Sequence, residues 1–203
     1  GYQTDAPFVI RYPRGKGEKK DWRNEMTLLP VGKGRKLREG KDIAVLSIGA
    51  IGNEVIKAIE MVEPEGISVA HYDMIYLKPI DETILDEVGQ RFKRVITVEN
   101  GVVKGGLGSA VAEYMSDHDY QTHVWRIGVP DQFVEHGSIP ELYRLCGMDA
   151  ESIKYCVWNL GSWSKNLDII KTYENSDSRG RRGRDTLGEI VVAGESRYYF
   201  DGS

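Results

Sequence analysis

Cysteine is nearly missing from this chain. Its 203 residues include only Cys146 and Cys156, with no Cys-x-x-Cys spacing. That excludes a thiolate zinc site and a disulfide framework, and it points to a reducing cytosol. Histidine is almost as scarce. His71, His118, His123 and His136 show no ligand-like spacing to a cysteine or a carboxylate cluster, so no metal site is expected. No apolar run approaches the roughly 20 residues that cross a bilayer, and no basic-then-apolar signal peptide opens the chain. Positive charge is not in excess either. Twenty-seven Lys and Arg face 31 Asp and Glu, and a net charge of -4 argues against general nucleic-acid binding, which works by neutralising phosphates.

What is present describes a globular domain, 40% hydrophobic and 29% charged and long enough for one sizeable core. Charge is uneven along it. Residues 1–40 hold ten Lys and Arg against five Asp and Glu, so the N-terminal arm is locally basic. The chain opens on Gly1 without Met and runs at once into the strand-like Pro7-Phe-Val-Ile-Arg11, which reads as a fragment of something longer. Residues 16–41, rich in Gly, Lys and Arg, read as a linker. From Asp42 strand and helix alternate. Ile43 to Ile48 suits a strand buried on both faces, and Asn53 to Val62 puts Val55, Ile56, Ile59 and Val62 at helical spacing. Ile67 to Met74 reads as a strand, and Lys78-Pro79 as a turn. Asp81 caps a helix with Ile84, Leu85 and Val88 on its apolar face. Arg94–Val98, Leu107–Met115, Thr122–Ile127 and Ile139–Leu145 continue as strand, helix, strand and helix, the last with Pro140 in its first turn and Gly147 past its end. Such βαβ units predict an α/β fold: three layers, α/β/α, around a mostly parallel sheet.

Residues 154–203 break this style. They hold Gly161-Ser-Trp-Ser-Lys-Asn166, then Ser178-Arg-Gly-Arg-Arg-Gly-Arg184, then the strand-like Ile190-Val-Val-Ala193. One short arginine-glycine run in a charge-balanced tail is a weak nucleic-acid signal, and the segment reads as an atypical, flexible or partly packed extension.

Four places are candidates for chemistry. Gly105-Gly-Leu-Gly108 follows a strand and opens a helix, where backbone N–H groups bind phosphate, yet the GxGxxG spacing is absent. The plainer reading is a tight turn that lets the helix lie close on the sheet. Glu99 stands at the carboxyl end of a strand, where open α/β sheets bind ligands. It is either a catalytic carboxylate, a cap on the Gly-rich turn or part of a subunit contact. His136, in Pro130-Asp-Gln-Phe-Val-Glu-His-Gly137, is an acid/base or substrate-contact candidate, with a structural or exposed turn histidine as the alternative. Arg11 and Arg14, in Ile10-Arg-Tyr-Pro-Arg-Gly15, sit at a strand end beside a turn and are shaped either to grip a phosphate or to be solvated.

Taken in order, several stretches resemble the end of the transketolase family of thiamine-dependent enzymes. They are Ile10-Arg-Tyr-Pro-Arg-Gly15, Leu29-Pro-Val-Gly-Lys-Gly34, Tyr76-Leu-Lys-Pro-Ile-Asp81, Val98-Glu-Asn with Gly105-Gly-Leu-Gly-Ser109, Ile127-Gly-Val-Pro-Asp-Gln-Phe133 with His136-Gly137, and Leu145-Cys-Gly-Met-Asp149 to Ile153. The likeness covers residues 7 to about 153 and is strongest to the family's synthases that use pyruvate and glyceraldehyde 3-phosphate. It implies a homodimer of three-domain chains, with thiamine diphosphate and Mg²⁺ held between the first two domains. Residues 1–15 would supply the last strand of the preceding pyrimidine-binding domain, and 42–153 the third domain. The family's GDG…N metal and diphosphate pattern is absent here, as is the segment supplying the glutamate that activates thiamine. A chain of this extent is therefore expected to bind no cofactor and to be inactive alone. The resemblance places Arg14 at the sugar phosphate, with Arg11 as a weaker candidate, and turns Glu99 and His136 towards a domain or subunit contact. Two other readings stay open: the β-subunit end of a 2-oxo-acid dehydrogenase, and a free-standing anion-binding or regulatory module.

Overall fold

Ile43-Ala-Val-Leu-Ser-Ile48 is apolar on both sides of the strand, and the sheet is built around it. The computed structural model describes Asp5, Pro7 and residues 27–162, all within the first of two compact units, Gly1–Leu167 and Asp168–Ser203. The expected strand at 7–11, the Arg11 and Arg14 candidates and the tail beyond 162 lie outside the described residues. The strands are β1 (Arg35–Arg38), β2 (Ile43–Ile48), β3 (Val69–Asp73), β4 (Arg94–Val102) and β5 (His123–Val129). The helices are α1 (Gly52–Val62), α2 (Glu82–Arg91), α3 (Leu107–Asp117), α4 (Ile139–Leu145) and α5 (150–162). Across the sheet the order is β1-β3-β2-β4-β5. β2 to β5 pair in parallel, and β1 lies antiparallel on β3.

The strand period of two sorts the core into two layers. Ile43 and Val45 of β2 meet Val55 and Ile59 of α1 and Ile153 and Val157 of α5. Ala44 and Leu46 point the other way, onto Ile84 and Leu85 of α2 and Leu107 and Val111 of α3. This is the expected three-layer α/β/α sandwich. Burying each larger side chain of this kind contributes about 1.5–3 kcal/mol relative to exposing it.

Helix ends follow local chemistry. Asp81 accepts from the Thr83 amide at 3.1 Å, as its N-cap reading predicted, and also from the Gly34 amide at 2.9 Å. Burial pushes the Asp81 carboxyl up, but the bonds from Gly34 and Lys33 outweigh it and hold it below its ordinary range. Ser138 and Glu141 close a capping box at the start of α4, and Gly147 stands past its end at φ 66°.

Two elements depart from the sequence reading. Arg35–Arg38, inside the span read as a linker, is the edge strand β1. Its Arg35 guanidinium donates to Asp73 at 2.8 and 3.0 Å, and Lys36 pairs with Glu87 at 2.6 Å. Such exposed pairs contribute at most about 1 kcal/mol each, but a basic edge discourages a further strand from adding. The chain then crosses β3 so closely that a Cβ on Gly40 would lie 2.0 Å from the Ala70 nitrogen. The other departure is α5, which continues past Ile153 through a stretch assigned to the tail. Ile153 and Val157 are fully buried one helical turn apart.

β2 and β3 also enclose a polar pair. The Ser47 hydroxyl and His71 Nε2 lie 2.8 Å apart, both buried. Burial pushes the His71 imidazole down to about 4, against the opposing pull of the Asp73 carboxylate. An unfolded histidine titrates near 6.5, so between about 6.5 and 4 the unfolded chain binds the extra proton. The stabilisation is complete above pH ~6.5 and is lost progressively as the pH falls towards 4. The loss should reach about 3 kcal/mol, measured by urea unfolding at stepped pH, and His71→Gln should flatten that slope.

Candidate functional site

The connection from β2 turns to β3 on one side, while β4 lies on its other side. Sheets of this kind bind ligands at such a reversal, outside the carboxyl ends of the strands. A cleft of about 820 Å³ opens there. Gly49 and Ala50 follow β2 into it, Asn100 and Gly101 come from the end of β4, and Tyr143 of α4 and Cys146 just past its end also line it.

Glu99 forms part of the cleft wall, yet it is turned inward and buried. One carboxylate oxygen accepts from the Leu107 amide and the other from the Gly108 amide, each at 2.9 Å. These are the first amides of α3, whose N-cap position is Gly106 and offers no side chain. Glu99 caps that helix from the neighbouring strand, with the positive end of the helix dipole facing its charge. Two glycines pack against the same side chain. A Cβ on Gly106 would fall 1.9 Å from Glu99 Oε2, and one on Gly128 would fall 3.2 Å from Glu99 Cγ.

This geometry decides between the alternatives for two candidates. Glu99 is no free general base, since both oxygens are committed to amides. The turn at Gly105–Gly108 is no phosphate cradle, because its amides already hold an anion that would repel a second one. That turn therefore does not fit a diphosphate. Among the described residues no cluster of three or more His, Cys, Asp or Glu is placed to hold a metal ion. His136 is exposed in the loop between β5 and α4. It is two residues beyond Val134, which lines the cleft, but is not itself in the wall. The structure does not bring the two described candidates, Glu99 and His136, together as a reacting group. Burial raises the Cys156 thiol, against a hydrogen bond from Trp125, so it is no activated nucleophile.

Sequence reasoning missed most of the cleft. Asn100 Nδ2 reaches the Tyr143 hydroxyl at 3.5 Å across it, and no pattern linked those positions. Of the turn after β2, Gly49 and Ala50 line the cleft.

Residues 32–153 match the family model described as "Transketolase, C-terminal domain". The chain belongs to that family. It is 76% identical over 154 residues to a 1-deoxy-D-xylulose-5-phosphate synthase of Parabacteroides distasonis, covering 75% of this chain and 24% of the relative. A synthase of the same name from Azobacteroides pseudotrichonymphae is 60% identical over 150 residues, covering 74% of this chain and 24% of the relative. The chain thus spans about a quarter of the length of these relatives. Among solved structures, one described as "Split gene transketolase, inactive beta4 tetramer" superposes with a TM-score of 0.60 at 36% identity, over 66% of this chain and 43% of that one.

In this transketolase C-terminal domain the Glu99 cap should be a large stabilising feature. Glu99→Ala strands two buried amides and should cost about 2–4 kcal/mol, read as a lower urea midpoint with an unchanged m-value. Gly106→Ala should cost at least as much, because its methyl displaces the carboxylate.

Proposed function

We propose that the chain is the C-terminal part of a 1-deoxy-D-xylulose-5-phosphate synthase. The observation that carries this reading is the 76% identity to a relative of that name over 154 residues. As an intact protein it would condense pyruvate with glyceraldehyde 3-phosphate, with loss of CO₂, giving a precursor for isoprenoid, thiamine and pyridoxal biosynthesis. Thiamine diphosphate and Mg²⁺ would be held by the rest of the intact protein. Thiamine diphosphate supplies the carbanion chemistry when bound. The described residues contribute a rigid sandwich and the surfaces around its cleft, rather than an acid or base.

The remaining assignments belong to the same proposal. Residues 1–15 would end the preceding pyrimidine-binding domain, the residues from 16 up to β1 would lead into this one, and the intact protein would be a cytoplasmic homodimer. Among the described residues no helix is long and apolar enough to cross a membrane. His136 would lie at a domain or subunit contact. Arg14, with Arg11 as a lesser partner, would hold the phosphate of the aldehyde as a charge-assisted pair.

The decisive measurement is steady-state kinetics of the intact protein. Arg14→Ala should raise KM for glyceraldehyde 3-phosphate by roughly 10- to 100-fold, the loss of a charged hydrogen bond of about 1.5–3 kcal/mol. KM for pyruvate should stay within about twofold. Equal small effects on both substrates would remove Arg14 from the phosphate site.

A further inference from the structure

Among the described residues, two that are not glycine sit at positive φ, Asp119 at 57° and Ile75 at 55°. Aspartate enters that region readily, whereas a β-branched side chain there is a genuine outlier. The Tyr76 amide also donates to the Met74 carbonyl, which closes a three-residue turn on Ile75. With φ positive at its centre, this is the rare and strained form of that turn. Ile75 and Leu77 both line the cleft, so the strain sits in its wall. Strain of this kind persists only where surrounding contacts over-determine it, and it gathers at clamps and switches.

The contacts that hold the turn come from two sides. On the β2 side, the Ser47 carbonyl accepts from the Met74 amide at 2.8 Å. On the β1 side, the Asp73 carboxylate is divided. Its Oδ1 accepts from the Ile75 amide at 3.3 Å, while its Oδ2 takes both bonds from the Arg35 guanidinium, at 2.8 and 3.0 Å. The residues entering β1 press on the same stretch. A Cβ on Gly34 would lie 2.8 Å from the Asp73 carbonyl oxygen, and one on Gly32 would lie 2.8 Å from Pro79 Cγ. The Gly34 amide is held in turn by Asp81 at 2.9 Å. Residues 32–35 thus brace the connection from β3 to α2. The two sides differ in strength. Ser47 is buried in the central strand, whereas Arg35 is exposed on the edge strand, where an ion pair is weak. The edge is the side that can let go.

We propose that the turn at Ile75 is a strained, two-state corner of the cleft, latched by the Arg35–Asp73 pair, so that the position of residues 32–35 sets the shape of the cleft wall. When the latch is released, Ile75 returns to negative φ. The Ile75 and Tyr76 amides then lose their partners, and the wall opens between Ile75 and Leu77. The device links the border strand of the sheet to a cleft beside its centre, through a carboxylate that serves both.

Hydrogen exchange followed by mass spectrometry on the intact protein tests this. In Arg35→Ala a peptide covering 74–80 should exchange at least about 10-fold faster than in wild type. Lys36→Ala, which cuts the neighbouring pair to Glu87, should leave that peptide unchanged. Glycine occupies positive φ without a steric penalty, so Ile75→Gly removes the strain that the latch opposes. Adding Arg35→Ala to Ile75→Gly should therefore change exchange of 74–80 by less than about threefold. A merely structural role for Arg35 would speed exchange by the same factor in both backgrounds, and that result overturns the proposal. So does unchanged exchange in Arg35→Ala alone. If Arg35→Ala also frees a peptide covering 35–38, Asp73→Asn, which keeps the side chain's shape and removes its charge, is read in its place against the same outcomes.

Discussion

A buried carboxylate is costly unless its charge is met, and in this domain Glu99 is met by the start of a helix. Its two oxygens take the Leu107 and Gly108 amides, the groups that α3 cannot satisfy from within. The bonds are charge-assisted and sit against the positive end of the helix dipole. The arrangement ties β4 to α3 at a defined height, and α3 supplies Leu107, Val111 and Met115 to one core layer. Gly106 is bare on the side where a methyl would push the carboxylate out of position, and Gly128 lies close to the Gly101 backbone and the Glu99 side chain. One ionic contact thus sets the register of a strand, a helix and a stretch of core.

That contact also bears on chemistry. The carboxyl end of a parallel strand is where a protein of this architecture would ordinarily offer a polar group to a ligand. Here the group is present but consumed, and the helix start beside it is filled by the protein's own anion. The same segment therefore reads as a site in one dimension and as a joint in three. What remains open at this end of the sheet is largely apolar: Leu77, Val134, Ile139 and Leu142 line the cleft, with Asn100, Glu135 and Tyr143 as polar members. Such a surface suits contact with another protein surface better than it suits acid or base chemistry.

Legibility followed how much of each element is encoded locally. β2 is short, apolar and bounded by glycine, and its limits read correctly from residue types alone. So did α4, with Pro140 and Gly147 as punctuation. β1 was illegible because Arg35, Lys36 and Arg38 look like linker, and only a neighbouring strand makes them an edge. α5 hid for another reason. Its apolar spacing, Ile153, Val157 and Leu160, was visible, but Tyr155, Trp158 and Asn159 between them obscured the helical face. The site was legible only in part. That Glu99 lies at a strand end follows from order along the chain, whereas its partners eight and nine residues on depend on the fold of the turn. The Ser47–His71 pair depends on the parallel register of β2 and β3, which no local pattern encodes.

A domain can serve an enzyme without holding a reacting group. The described residues place their costly electrostatics in Glu99 and Ser47–His71, away from the surface, where they enforce one register. The basic, ion-paired edge at β1 resists addition of a strand. The apolar side chains at the carboxyl end do the opposite, since water gains from their removal. These tendencies act at different borders of one sheet. A capped helix and a packed sandwich present the side chains around the cleft already ordered, so a contact made there costs little conformational entropy.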